Sequence, residues 1–302
     1  MMAAVCWGIS PILQKRALGY SKLMELNAIR GAGVLMLLLP LFFFVKTAVS
    51  ISDAKHYAIL AFVAFVNNLI GDLFAFAAIR YVGVSLATPI TNAYPLIIVL
   101  TSWFWFGETM TAFVLGGTLS VVAGLVLLNV RNAAPSRATV QQFHETVQQS
   151  RETVQHLRGV ASAIMAALCW AFGLSLNKYL TLHGVTSTGV VFWRGIFFSL
   201  LALGNWAILK AFHPAETRSL KEVPAAGKLA GVLAGILSLV LGAGCYTFSI
   251  TRIPMNVATP IATSCPLITA LIACAFIAIP LWISNICIAH SAMAPCYPCN
   301  YC

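Results

Sequence analysis

Charge is what this sequence has least of. Only 9% of its 302 residues are Asp, Glu, Lys or Arg, and just eight of those are acidic. A soluble domain carries roughly a quarter of its residues charged, so this chain has too little polar surface to be coated in water. It also lacks the alternation of apolar and polar residues that a membrane β-barrel writes into each strand. No HExxH, no phosphate-cradling glycine loop and no nucleophile–base–acid set is present, and His144, His156, His183 and His213 fall in connections between apolar runs. Those absences exclude the common enzyme signatures. No ring of charges or filter-like loop marks a channel. The start has neither a basic n-region nor a small-residue cleavage site, so no secretory signal is expected.

What the sequence has instead is apolar length. It is 60% hydrophobic, with a mean hydropathy of +0.89. Residues 26–45, 57–79, 84–106, 112–130, 161–180, 189–209, 229–250 and 257–279 form runs of about the ~20 residues that carry a helix across a bilayer. Residues 1–13 read as the latter part of a further span whose beginning is missing. Continuous runs in lipid must be helices, because every backbone polar group has to be satisfied within the segment. The expected fold is an all-α polytopic membrane protein with its partner surface in the lipid bilayer.

The net charge of +10 does not signal nucleic acid. Twelve of the 18 Lys and Arg lie in four connections: Lys15, Arg16 and Lys22; Arg80; Arg131, Arg137, Arg151 and Arg158; Lys210, Arg218, Lys221 and Lys228. With alternating spans these fall on one side, the asymmetry of membrane topology. Taken alone, the bias places that side in the cytoplasm and the amino terminus outside. Of nine cysteines, Cys6, Cys169, Cys245, Cys265 and Cys274 lie in apolar runs, where Cys behaves as a small hydrophobe.

The chain repeats itself. Residues 87–97, ATPITNAYPLI, return 171 positions later as ATPIATSCPLI. Ala3-Ala4-Val5-Cys6-Trp7 returns as Ala166-Ala167-Leu168-Cys169-Trp170, with Lys15 and Lys178 at one offset; Arg30-Gly31 returns as Arg194-Gly195, and Gly71 as Gly242. Each half therefore reads as one bundle of about five helices. An odd number of spans makes the second copy enter the membrane from the opposite side, and such inverted repeats are the architecture of alternating access around a midplane site. Duplication into a merely larger bundle is the alternative. Residues 131–158 between the halves are polar, a tandem heptad beginning at Thr139, Thr146 and Thr153, and read as a solvated linker or a short surface helix.

These residues in this order resemble the drug/metabolite transporter superfamily, specifically its ten-span EamA-type permeases with two domains. The resemblance rests on Cys6-Trp7-Gly8 with Lys15, Arg30, Gly71, Ala87-Thr88-Pro89-Ile90, Pro95-Leu96, Phe106-Gly107-Glu108 and the Gly116 to Gly124 span, and covers roughly residues 1–279. It implies two inverted five-helix repeats, a central cavity, movement of small metabolites, and both termini in the cytoplasm, against the charge count. About nine spans of the expected ten are present. The organisation expected is 1–130 as the first repeat with a truncated first span, 131–158 as linker, 159–279 as the second repeat and 280–302 as an atypical tail. In the second half Ala278-Ile279 stands where Gly107-Glu108 stands in the first. Cys296, Cys299 and Cys302 with His290 have metal-like spacing, but no scaffold to hold a metal is visible, so no metal and no cofactor is expected.

Candidate site residues follow from chemistry that is expensive in lipid. Pro89, Pro95, Pro260 and Pro266 each break a helical hydrogen bond and kink the span. Freed carbonyls and the neighbouring Thr88, Asn92, Tyr94, Thr259, Thr263 and Ser264 are candidates to line a cavity, with helix–helix hydrogen bonding as the competing role. Trp7 and Trp170 are candidate walls, or packing. Asp72 lies deep in its span beside Asn67 and Asn68; a carboxylate there must face water, protonate or pair with a cation. It has no mate, the matching residue being Ala243. Proton coupling, a substrate ammonium or a structural pair are its possible roles. Arg30 and Arg194 lie about one turn inside their spans, suited to a substrate carboxylate or phosphate, or to snorkelling. Gly116, Ser120 and Gly124 form a small-residue packing stripe. The function expected is a permease exporting amino acids or similar small metabolites, with a proton as candidate coupling ion. The alternative of a different class is an inactive incomplete paralogue or a partner-binding membrane scaffold.

Overall fold

The computed structural model describes residues 1–130, 145–214, 217–265 and 268. All the regular elements among them are helical. The first half comprises α1 (Met2–Leu18), α2 (Leu23–Val49), α3 (Ala54–Val82), α4 (Val84–Thr91), α5 (Tyr94–Phe106) and α6 (Ala112–Val130). The second comprises α7 (Glu145–Leu182), α8 (Ser187–Phe212), α9 (Ala225–Ser249) and α10 (Met255–Thr263). With α4 and α5 sharing one span, the helices fall on the nine apolar runs, and the fold is two inverted repeats of an all-α membrane protein. Five helices, α2, α3, the Val154–Leu182 part of α7, α8 and α9, are long and apolar enough to cross a bilayer unaided. Phe43, Phe44, Phe104 and Phe113 stand exposed, as lipid-facing side chains must in a fold with nothing else to bury them.

Among the described residues α7 reaches back to Glu145, inside the expected linker, so that the last heptads continue into a span. Residues 131–144 lie outside the described residues, as do Pro266, the end of the second repeat and the whole segment 280–302 with its Cys and His residues.

Two features repeat between halves. First, α3 and α9 each change to π-helical winding in mid-span, at Ala64–Ile70 and Ile236–Gly242. A π-bulge opens the i to i−4 ladder, often at functional sites; a sequence of mostly apolar residues carries no periodic sign of it. Second, the Thr-Pro stretches break their spans. Between α4 and α5 the chain turns at Asn92 and Ala93, with Pro95 in the first turn of α5, and α10 stops at Thr263.

The glycines of the repeated motifs set helix spacing. A methyl on Gly31 in α2 would meet the Ser199 backbone in α8 at 3.1 Å, and one on Gly195 in α8 would meet Leu38 of α2 at 2.7 Å. The Arg-Gly pair therefore reads as an arginine placed by a close α2–α8 crossing. Gly107 takes φ +62° to end α5, a conformation that costs other residues dearly. The chain then turns so that Glu108 accepts hydrogen bonds from the backbone N–H groups of Met255 and Asn256, at 2.8 and 3.0 Å, at the start of α10. Its other neighbour is Lys178, Nζ to Oε1 3.5 Å. A first-half carboxylate thus caps a second-half helix, where the helix dipole favours it.

Candidate functional site

The halves meet around a cavity of about 220 Å³. Its walls are built from matching positions of the two repeats: Trp7 and Trp170, Pro11 and Leu174, Asn67 and Ser238, Asn68 and Leu239, Tyr94 and Cys265. Equivalent residues from opposed repeats reach one space only if it straddles their pseudo-twofold axis.

The tryptophans cross over. The Trp7 indole lies against Gly242, where a methyl would come within 2.6 Å of its ring; Trp170 lies against Gly71, where the distance is 2.8 Å. Each half thus inserts its tryptophan over the glycine of the other, and both glycines lie at the π-helical segments. Trp7 Nε1 donates to the Ser238 carbonyl at 3.0 Å, and Asn67 Nδ2 donates to the Trp170 carbonyl at 3.1 Å. Trp7 also packs on Tyr246, and Trp170 on Tyr94, with ring centroids 5.5 and 5.9 Å apart.

Of the residues singled out in the sequence, Trp7, Asn92, Tyr94, Trp170 and Arg194 line the cavity. Pro89 is buried in α4 and acts through the break that follows it. Thr88 lies in α4, its side chain outside the described ones. The second-half counterparts take the competing role. Thr259 is fully buried, donates to the Met255 carbonyl at 2.8 Å and shares a 2.8 Å hydrogen bond with the Tyr246 hydroxyl. Thr263 and Ser264 return their hydroxyls to the carbonyls of Pro260 and Ile261. These hydroxyls are taken up within the second repeat, and neither they nor Pro260 is on the cavity wall.

Arg30 and Asp72 form an ion pair behind the wall. Arg30 donates to Asp72 Oδ2 at 3.3 Å, to Asn27 Oδ1 at 2.9 Å and to the Ser238 hydroxyl at 3.5 Å, and its guanidinium lies 5.7 Å from the Phe198 ring centre. Of the roles open to Asp72, the geometry supplies the structural pair. Arg30 is 4% exposed, so it does not snorkel to the interface.

Several wall residues had no sequence signal of their own. Ser10 and Gln14 are one turn apart on α1, bonded to each other at 2.9 Å, and Ser10 donates to the Ala234 carbonyl. Ser238 could have been found as the repeat mate of Asn67, and Cys265 as that of Tyr94. Among the described residues no group of three or more His, Cys, Asp or Glu could hold a metal ion.

A family described as the EamA-like transporter family matches residues 1–130 and 157–294. Seventeen chains of solved structures are similar to this one. One of them, a crystal structure, aligns with a TM-score of 0.67 at 17% identity, covering 90% of this chain and 84% of its own; at that identity it speaks for the fold alone. No curated protein matches the chain.

Proposed function

Because the chain belongs to the EamA-like transporter family, we propose that it exports amino acids or similar small amphipathic metabolites by alternating access of its two inverted repeats around the central cavity. The observation that carries this reading is the cavity wall itself, formed by repeat-equivalent residues of both halves. A substrate held on the pseudo-twofold axis touches both repeats, so rocking one against the other exposes the same site first to one side and then to the other. About 220 Å³ is below the ~300–1,000 Å³ of pockets for drug-sized ligands, which favours a single small metabolite. Three aromatic rings offer an apolar body and Asn92 and Asn67 a few polar contacts, the mix such sites use. The breaks at Asn92 and after Thr263 supply the hinges, since they are places where no continuous ladder resists bending.

The test is flux. Purified full-length chain in proteoliposomes, with a panel of labelled amino acids, should show counterflow above protein-free liposomes for at least one of them. Cys265 provides a second readout. With the other cysteines replaced by Ala, its thiol should react with a membrane-impermeant reagent from both sides, and the transported amino acid should protect it. Flux no greater than that of empty liposomes across the panel, with Cys265 reactive from one side only, would sink the reading and leave a non-transporting membrane protein.

A further inference from the structure

The two arginines of the repeated Arg-Gly motif occupy matching places in α2 and α8, yet the structure treats them differently. Arg30 is neutralised by Asp72 and held by Asn27. Arg194 is equally buried, at 4% exposure, and lines the cavity. Among the described residues its side chain forms no hydrogen bond and no ion pair. The reason is legible in the repeat: the residue at the place of Asp72 in the second half is Ala243, and Ala243 is itself on the cavity wall. Among its described residues the wall contains no Asp or Glu.

An isolated guanidinium out of water is costly. It is retained where a counter-charge arrives with something else, and the planar fork of arginine matches a carboxylate or a phosphate in a two-pronged hydrogen bond. We propose that Arg194 is the anion-recognising residue of the cavity, so that the substrate carries a carboxylate or phosphate group that takes the place left by the missing partner of Asp72. The rest of the wall suits what such a group is attached to. Trp7, Tyr94 and Trp170 face an apolar or cationic body, and Asn92 faces a polar one. The proposal rests on the transport reading only for calling the ligand a substrate; the anion site stands on Arg194 and Ala243.

The test uses purified full-length chain in detergent and five probes: leucine, 4-methylpentanoate, isopentylamine, glycerol 3-phosphate and glycerol. Melting temperature is titrated against each. At least one of the anionic probes, meaning those with a carboxylate or phosphate group (leucine, 4-methylpentanoate, glycerol 3-phosphate), should stabilise the wild type, while isopentylamine and glycerol should not. A response to the carboxylates alone identifies a carboxylate substrate, and one to glycerol 3-phosphate alone a phosphate. Arg194→Gln should weaken the responding probe by about tenfold or more, the loss of a charge-assisted hydrogen bond. Ala243→Asp supplies the second arm. It rebuilds in the second half the pair that Arg30 and Asp72 make in the first, so it should fold and equally abolish the response. Stabilisation by no anionic probe, equal stabilisation by isopentylamine, or wild-type affinity in a folded Ala243→Asp chain would each overturn the assignment. Flux of the responding probe in proteoliposomes separates the two readings. Arg194-dependent binding without flux keeps the anion site and sinks transport; flux with affinity unchanged in Arg194→Gln does the opposite.

Discussion

Replacing Asp72 by Asn separates the two things a carboxylate deep in a membrane can do. The side chains of Arg30 and Asp72 are 5% and 18% exposed and lie 3.3 Å apart. Removing one member of a buried pair costs about 3–5 kcal/mol, because the surviving charge is left without compensation. Two features of this site argue for the low end. The asparagine amide keeps an oxygen that can accept from Arg30, and Arg30 retains Asn27 at 2.9 Å and the face of Phe198. We expect a loss of about 3 kcal/mol, read as a lower midpoint in denaturant-induced unfolding of the full chain in detergent micelles. A second substitution, Arg30→Gln in the Asp72→Asn background, should recover part of that loss, since the orphaned charge goes with it. The coupling between the two should be about 0.5–3 kcal/mol. In proteoliposomes the pH dependence of flux should be the same for Asp72→Asn and wild type, because a carboxylate locked on a guanidinium has no proton to carry. The reasoning is refuted if stability is unchanged while the pH profile of flux flattens or moves: Asp72 would then titrate during the cycle.

Four further substitutions test three contacts between halves and one within the second half. Glu108→Gln loses the ion pair to Lys178 and the full charge at the start of α10, and should lower stability by about 1 kcal/mol; an unaltered unfolding midpoint would mean that the carboxylate does not hold α10. Gly242→Ala would place a methyl 2.6 Å from the Trp7 ring. Overpacking of this kind costs about 1–3 kcal/mol, and the displaced indole should lose its bond to the Ser238 carbonyl, so both melting temperature and flux fall. Gly71→Ala should do the same through Trp170, and a wild-type phenotype in both would contradict the crossed packing. Thr259→Val leaves the buried Tyr246 hydroxyl without its 2.8 Å partner at a cost of about 1–3 kcal/mol. Affinity for the anionic probe should be unaltered, and a selective loss of affinity would return Thr259 to the cavity.

The spans, the duplication and the interruption at Asn92 could all be read in the sequence, because each leaves a local mark: an apolar run of bilayer length, a motif recurring at a fixed offset, a proline inside a helix. Trp7, Tyr94 and Trp170 were reachable the same way. What could not be read is direction around the helix axis. A helix in lipid is apolar on every face, so the pattern that marks the buried side of a soluble helix is absent. Thr259 and Asn92 therefore look alike in sequence, yet one hydrogen-bonds Tyr246 and the other faces the cavity. Pairings between distant segments are invisible for a second reason. Nothing near Asp72 announces that its partner lies 42 residues away, and nothing near Glu108 announces the helix start 147 residues on. The π-helical segments are a matter of backbone register and have no residue signature beyond Asn67 and Ser238 at matching places.

Where the repeats agree, they build shape: the tryptophans over the glycines, the close α2–α8 crossing, the broken spans and the π-helical segments that open the wall. Where they disagree, they assign chemistry. Asp72 against Ala243 leaves one arginine paired and its mate bare inside the cavity. Tyr94 against Cys265 gives the first half a second aromatic ring on the wall where the second half has a thiol. Glu108 against Ile279 gives one half a carboxylate able to accept the N–H groups of a helix start, where an isoleucine side chain can accept none. A perfectly symmetric duplicate would present an ion pair twice and a bare charge nowhere. Its cavity would then be neutral and, on electrostatic grounds, indifferent to the sign of its ligand. The departure from symmetry at position 243 is what gives the shared cavity a preference.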